Sequence, residues 1–254
     1  MVNASGSRAL LLGGTGAMGV YLVQYLIERG WDVTVTSRSE HPNRSYVTYV
    51  KGNAKDLDGL LNSQRWDVIV DFMVWGTQEF SARYQALLGA CDQYVFLSSY
   101  RAYADSPVIV EDSHRLLDVC QDKDYLATDE YALAKARQEN LIRASGRDNW
   151  TIVHPSITYS KARFQICTLE CEQWLWRWMR GLAIALPPEM LDKQTTLTWA
   201  GDAARFIACL CANIDALGQT VNVVTGEHMT WRQVIDIYDS ILPLPVDVRP
   251  VSVE

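Results

Sequence analysis

The chain has 254 residues, of which 48% are hydrophobic and 21% charged, and its formal net charge is −7. That length can bury a full core and suits one α/β domain with a small appended lobe better than two independent domains. The acidic balance offers no surplus of cations to neutralise phosphates, and no apolar stretch is long enough to span a bilayer, so neither nucleic acid nor membrane is an expected partner. Residues 1–7 are too polar for a signal peptide, which makes a cytoplasmic address the expectation. The six cysteines, Cys91, Cys120, Cys167, Cys171, Cys209 and Cys211, form no CxxC pair and no ligand spacing with the histidines. Buried thiols in a reducing compartment and no metal are therefore expected.

The first element is a short apolar strand, Arg8–Leu12, that runs into Gly13-Gly14-Thr15-Gly16-Ala17-Met18-Gly19. This GxxGxxG loop opens a helix extending to Arg29 and Gly30, and a second strand follows over residues 32–36. Strand, glycine loop, helix and strand in that order make a dinucleotide-binding unit: glycines let the backbone turn tightly and approach a pyrophosphate, whose charge sits at the helix N-terminus. Further apolar runs predict strands over 46–50, 67–72, 94–99 and 150–154, the last closed by Pro155, with a helix over 78–91. Continuously apolar strands alternating with helices indicate a doubly wound parallel sheet, a Rossmann arrangement, which binds ligands at the carboxyl ends of its strands. Gly13, Arg38, Asn53, Trp75, Ser99 and Ser156 fall at or just past such ends. Beyond Pro155 the rhythm changes to a Trp-rich helix over 169–181, a break at Pro187-Pro188, a helix over 199–211, a strand over 220–224 and a final helix over 230–242. A dinucleotide-binding core over 1–160 and a substrate-binding lobe over 161–254 are expected, with 200–225 returning to the core.

Tyr131 and Lys135 sit four residues apart, a spacing that sets a phenol and an ammonium side by side on one helix. A cation beside a phenol favours the phenolate and makes a proton donor usable near neutrality. The pair could equally lie on an ordinary surface helix; the glycine loop ahead of it gives it weight.

With these pieces in order, the chain resembles the extended short-chain dehydrogenase/reductase superfamily, the NAD-dependent epimerases, dehydratases and ketoreductases of nucleotide sugars. The likeness runs over nearly the whole chain. It is carried by Gly13, Gly16 and Gly19; by Phe96-Leu97-Ser98-Ser99 with Tyr103; by Tyr131, Lys135 and Glu139; by His154-Pro155-Ser156 with Tyr159; and by Asp202 and Asn222 farther on. The resemblance implies that Ser99 hydrogen-bonds the reacting oxygen, that Tyr131 is the acid/base, and that Lys135 binds the nicotinamide ribose. Cofactor contacts are implied at Gly13, Thr15, Gly16, Ala17, Met18, Gly19, Ser37, Arg38, Asn53, Ala54, Lys135, Pro155 and Ser156. A homodimer through a four-helix bundle of residues 78–91 and 131–143 is also implied, with Leu87, Leu88, Leu133 and Leu141 compatible with it.

Cofactor choice is legible at the end of the second strand, where Ser37-Arg38-Ser39 offers no acid for the ribose hydroxyls of NAD. An arginine can pair with a 2′-phosphate, so NADP is expected, with NAD still open. Several positions depart from the pattern. Asn53 stands where an aspartate is usual, Phe72-Met73-Val74-Trp75 replaces small residues, and His154 replaces an arginine and is expected to be partly buried. The long interval between Ser99 and Tyr131 implies an extended loop over 104–128. The chain ends soon after Pro243-Leu244-Pro245, which suggests a reduced lobe or an incomplete chain. The 66–72 segment is also similar to a branch containing chloroplast stem-loop-binding proteins, atypical members associated with RNA. Trp174, Trp176 and Trp178 could form a platform for a base or the lobe core, and Arg163, Arg177, Arg180 and Arg205 are candidates for a diphosphate. The expected activity is NADP-dependent reduction of a nucleotide-linked 4-keto-6-deoxy sugar. Epimerisation at the same site and a non-catalytic NAD(P)-binding or RNA-associated scaffold are the alternatives. Ser99 is followed by Tyr100-Arg101 rather than an Asp-Glu pair, which argues against a dehydratase.

Overall fold

In the computed structural model, β1 (Arg8–Leu12) alternates its side chains between two apolar layers. Ala9 and Leu11 enter one buried cluster with Leu22, Leu26 and Ile207; Leu10 and Leu12 enter another with Phe80, Leu88 and Ile142. A strand covered on both faces has no solvent side for polar residues, which is why these runs are continuously apolar. The residues described are 6–56, 58–161 and 163–251; the expectation of no signal peptide rests largely on residues 1–5, outside that set.

The chain folds as two compact units, Met1–Ser156 with Gly201–Val223, and Ile157–Ala200 with Val224–Glu254. The first holds a seven-stranded sheet. Its further strands are β2 (Asp32–Ser37), β3 (Val47–Lys51), β4 (Trp66–Asp71), β5 (Cys91–Leu97), β6 (Trp150–Pro155) and a seventh strand, Gln219–Val223. From edge to edge the order is seventh strand, β6, β5, β4, β1, β2, β3, and every pairing is parallel. Leu10 lies opposite both Thr34 of β2 and Ile69 of β4. The strand order therefore reverses at β1, the point where a doubly wound sheet opens its binding crevice.

Helices of this unit include α1 (Gly19–Glu28), α2 (Asp58–Ser63), α3 (Thr77–Ser81), α4 (Tyr84–Gly89), α5 (Leu116–Val119), α6 (Lys123–Leu126), α7 (Tyr131–Arg143) and nearly all of the later helix Ala200–Leu210, whose Ile207 packs in the cluster of Ala9 and Leu11. Two expectations are corrected. The single helix over 78–91 is two short helices interrupted at Ala82 and Arg83, where Arg83 donates to the carbonyl of Lys55. Cys91 opens β5 instead of closing a helix, because Trp66 at the start of β4 pairs opposite it. Leu87, Leu88 and Leu133 are buried within the single chain. The 104–128 interval folds locally: Tyr103 bridges to Arg115, and α5 and α6 lie within it.

The second unit has its own core of Ile166, Trp174, Ile184, Leu186, Trp231, Val234 and Ile235. Its main helices are Cys171–Trp178 and Trp231–Ile241. The first is shorter than the expected 169–181 because a reciprocal Glu170–Gln173 capping box starts it, leaving Leu169 and Glu170 in a short strand. Trp199 likewise ends a strand, Leu197–Trp199, ahead of the helix Ala200–Leu210. Only Cys91, Cys167 and Cys211 are buried; Cys120 and Cys171 are half-buried and Cys209 is exposed, so the expectation of uniformly buried thiols is corrected. Among the described residues, no helix is long and apolar enough to cross a membrane.

Candidate active site

The glycine loop leaves β1 in a conformation that side chains would block. Gly13 has φ +71°, and its N–H donates to Thr36 Oγ1 of β2 at 2.8 Å, which braces the turn against the neighbouring strand. A Cβ on Gly19 would lie 2.3 Å from the Gly14 carbonyl oxygen, so only glycine lets α1 start so close to the loop. Nothing lies within 4 Å of a Cβ built on Gly16, so a side chain there would fill open space above the loop. The first turn of α1 has no acidic residue and no side-chain cap. A tight turn, an open cradle at Gly16 and an uncapped helix start fit a pyrophosphate, with Thr15, Ala17 and Met18 half-buried around it.

At the end of β2, Ser37 is buried and accepts from the Ser39 N–H at 3.1 Å, with His41 Nε2 at the same distance from its hydroxyl. Arg38 is exposed and, among the described residues, has no ion-pair partner. His41 is not marked by any motif in the sequence; its one signal there is a histidine four residues past Ser37. Asn53 is committed locally: its amide donates to Asp56 at 2.8 Å and its carbonyl accepts from Lys55 N–H, closing the turn Ala54–Asp56. Reading a base there would require it to exchange those bonds.

The Ser98-Ser99 pair at the end of β5 divides its work. Ser98 donates to buried Glu139 of α7. Ser99 caps the turn Tyr100–Ala102 by accepting from Arg101 N–H at 3.2 Å, which leaves its O–H proton to donate. Arg101 then ties that turn to the start of α7: it bonds Glu130 at 2.8 Å, and its guanidinium lies 5.5 Å from the centre of the Tyr131 ring. Glu130 caps α7 by accepting from Ala132 N–H, which fixes Tyr131 as its first residue.

Lys135 is 2% exposed. Its ammonium lies 5.9 Å from the centre of the Tyr131 ring and 4.6 Å from that of Phe96. Its hydrogen bonds run inward, to the Leu97 carbonyl at 2.7 Å and the Met73 carbonyl at 3.4 Å. Burial pushes its pKa down to about 8, against the attraction of Asp71 and Glu139.

His154 is fully buried, not partly buried as expected. Its Nε2 meets Glu139 Oε1 at 2.7 Å, and its Nδ1 lies 3.3 Å from the Tyr103 hydroxyl, which donates to Asn222 at 3.0 Å. Arg115 and Arg143 both donate to Glu139 Oε2, at 3.3 and 3.2 Å. Burial alone would raise the Glu139 pKa, but the bonds from His154 and Ser98 and the charge of Arg143 hold it well below the usual carboxylate range. Pro155 is buried at the end of β6 and Ser156 is half-buried just beyond it.

In the second unit Trp174 is core, packed on Phe164 and Tyr238, and Trp178 donates to the Leu244 carbonyl. Trp176 is exposed, with the Arg180 guanidinium 4.2 Å above its ring. Of the other candidate arginines, Arg163 pairs with Glu170, Arg177 bonds the Ala183 carbonyl and, in the first unit, Arg205 pairs with Asp202.

A family model described as NAD(P)H-binding matches residues 13–172. A curated relative from Arabidopsis thaliana, the chloroplast stem-loop binding protein of 41 kDa b, is 24% identical over 247 residues, covering 90% of this chain; the chain spans 61% of that relative's length. Among solved structures, UDP-glucuronic acid 4-epimerase from Bacillus cereus, in complex with UDP-glucuronic acid and NAD, aligns with TM-score 0.74 at 16% identity, covering 96% of this chain and 86% of that one. UDP-N-acetylglucosamine 4-epimerase from Methanobrevibacter ruminantium M1 aligns with TM-score 0.74 at 16% identity, covering 98% and 86%. Taken with the glycine loop and the parallel sheet that reverses at β1, these matches mean that the chain belongs to the NAD(P)H-binding family, within the extended short-chain dehydrogenase/reductase superfamily.

Proposed function

We propose that this protein is an NADP-dependent oxidoreductase that reduces a nucleotide-linked 4-keto-6-deoxy sugar, with Tyr131 as proton donor. The observation that carries this reading is the joining of Ser99 and Tyr131 through Arg101 and Glu130, with the buried Lys135 ammonium beneath the tyrosine ring. A bound nicotinamide dinucleotide would supply the hydride. The carbonyl oxygen of the substrate gains negative charge as it is reduced, and two hydroxyl donors answer it: Tyr131 gives up its proton and Ser99 holds the oxygen by a hydrogen bond. Lys135 would hold the nicotinamide ribose, and its ammonium sets a positive charge beside the phenol. Gly13, Thr15, Gly16, Ala17, Met18 and Gly19 would hold the pyrophosphate. Ser37 and Arg38 would take the 2′-phosphate that distinguishes NADP, Asn53 and Ala54 would hold the adenine, and Pro155 and Ser156 the nicotinamide.

A second reading, a nucleotide-sugar 4-epimerase, uses the same three residues and is favoured by the likeness to two epimerase folds. The curated relative named for stem-loop binding favours a third, an RNA-associated scaffold. Paired incubations separate them, the products identified by NMR: 4-keto nucleotide sugars with NADPH, and 4-hydroxy nucleotide sugars with the oxidised cofactor. Stoichiometric NADPH consumption in the first with no C4 inversion in the second marks the reductase. Inversion at C4 of the 4-hydroxy sugar with no net change in cofactor marks the epimerase, and cofactor binding with no turnover of any sugar marks the scaffold.

A further inference from the structure

Asp71, the last residue of β4, is 0% exposed. Among the described residues, every hydrogen bond it makes is one it accepts. Oδ2 accepts from the Tyr94 hydroxyl at 2.6 Å and from Trp75 Nε1 at 2.9 Å, and Oδ1 accepts from Met73 N–H at 2.8 Å. The Met73 N–H and the Trp75 indole N–H can only donate, and they take different oxygens, so both Asp71 oxygens accept as those of a carboxylate do. An ionised carboxylate so deep in the core needs a counter-charge.

Two neighbours of Asp71 connect it to Gly13 and to α7, where candidate cofactor residues stand. Met73, whose N–H it holds, presents its carbonyl to Lys135 Nζ at 3.4 Å and its sulfur 2.9 Å from where a Cβ on Gly13 would stand. Trp75, whose indole it holds, accepts from Gln138 of α7 at 2.8 Å through its carbonyl. The turn after β4 is thereby fastened to the glycine loop on one side and to the helix of Tyr131 and Lys135 on the other.

We propose that Asp71 is a positioning residue of the dinucleotide site: it is the buried counter-charge that keeps Lys135 an ammonium, and it anchors the 71–75 turn against Gly13 and α7. The assignment rests on the reductase reading only for what Lys135 then does. The charged and titratable groups facing Lys135 are Asp71 from the end of β4, Glu139 one turn further along α7, and the Tyr131 ring; Tyr94 of β5 faces Asp71. Glu139 is already held by His154, Arg115, Arg143 and Ser98. Its charge is shared among several donors, whereas Asp71 feels chiefly the charge of Lys135; the nearby Lys55 ammonium lies over the Trp75 ring and pairs with Glu79. Burial pushes the pKa of Asp71 up and that of Lys135 down, and each acid–base partner pulls the other back.

The test is a pair of NMR titrations on the folded protein. The lysine Cε resonance reads Lys135, and the aspartate Cγ resonance reads Asp71. In Asp71→Asn the Lys135 midpoint is expected to fall by about one pH unit or more. In Lys135→Met the Asp71 midpoint is expected to rise by a similar amount, because the coupling between two sites is reciprocal. Either titration decides alone should the other variant fail to fold. Midpoints unmoved by loss of the partner would overturn the pairing. NADPH oxidation is a separate readout: coupled titrations in a protein that reduces no sugar would sink the reductase reading and leave the pairing standing, and uncoupled titrations in an active enzyme would do the reverse.

Discussion

Lys135 donates to the carbonyl of Leu97 at 2.7 Å, two residues before Ser99, so the lysine of α7 is fastened to the strand end that carries the candidate serine. Its buried ammonium loses its proton near pH 8, from an ordinary value of 10.5. Two pH effects of opposite sign follow. Cofactor affinity that depends on the ammonium should be full below pH 8 and decline above it. The contribution of this group to folding stability should instead grow as pH rises from 8 to 10.5, because the unfolded chain holds that proton longer than the native one. Lys135→Met should remove both limbs, weaken cofactor binding and lower turnover. Calorimetric titration with NADPH and urea unfolding across that range check the two signs.

Arg38→Ala should weaken NADPH binding about 10-fold or more and leave NADH nearly unchanged, since only a contact to the 2′-phosphate is lost. Equal losses for both cofactors would show that Arg38 reads something else.

Gly16 and Gly19 should fail in different ways. Gly16→Val places its branch in open space, so the fold should survive while binding of both cofactors is lost. Gly19→Ala drives a Cβ into the Gly14 backbone and should lower the unfolding temperature. Thermal melts with and without NADPH distinguish the two.

Glu139 ties α7 to β6 through His154. Its pKa is depressed, so the stability it contributes is present above its ordinary value of 4.5 and is lost as pH falls toward 2. Glu139→Gln should cost about 3–5 kcal/mol at pH 6, the order expected when a buried ion pair is broken. That deficit should shrink between pH 4.5 and 2 in urea titrations; a deficit independent of pH would mean the carboxylate charge is not what holds the strand.

The middle of the parallel sheet is legible in the sequence because β1, β4 and β5 carry uninterrupted apolar runs, Ala9–Leu12, Val68–Val70 and Tyr94–Leu97, which follow from burial on both faces. The glycine loop is legible because the three motif glycines have no substitute at a pyrophosphate turn. What local pattern cannot supply is the partner of each polar group. His154 reads as partly buried from sequence, since nothing near it in the chain reveals Glu139, Tyr103 and Asn222 converging on it from three other segments. Helix spacing places Lys135 beside Tyr131, yet its hydrogen bonds go to Leu97 and Met73, which only the tertiary fold brings within reach. The break at Ala82–Arg83 leaves no trace in a segment with no proline and no glycine before Gly89. Asp71 does leave a signal, an acid directly after the apolar run Val68–Val70.

The central claim is that Tyr131 donates the proton in a reduction. Tyr131→Phe keeps the ring between Arg101 and Lys135 but removes the hydroxyl. The direct measurement is NADPH oxidation with a 4-keto-6-deoxy nucleotide sugar by the wild type and by this variant, alongside NADPH affinity. The account predicts unchanged cofactor binding and a fall in turnover of roughly 10²–10⁴-fold. Turnover near the wild-type rate by Tyr131→Phe on a substrate the wild type reduces would contradict it.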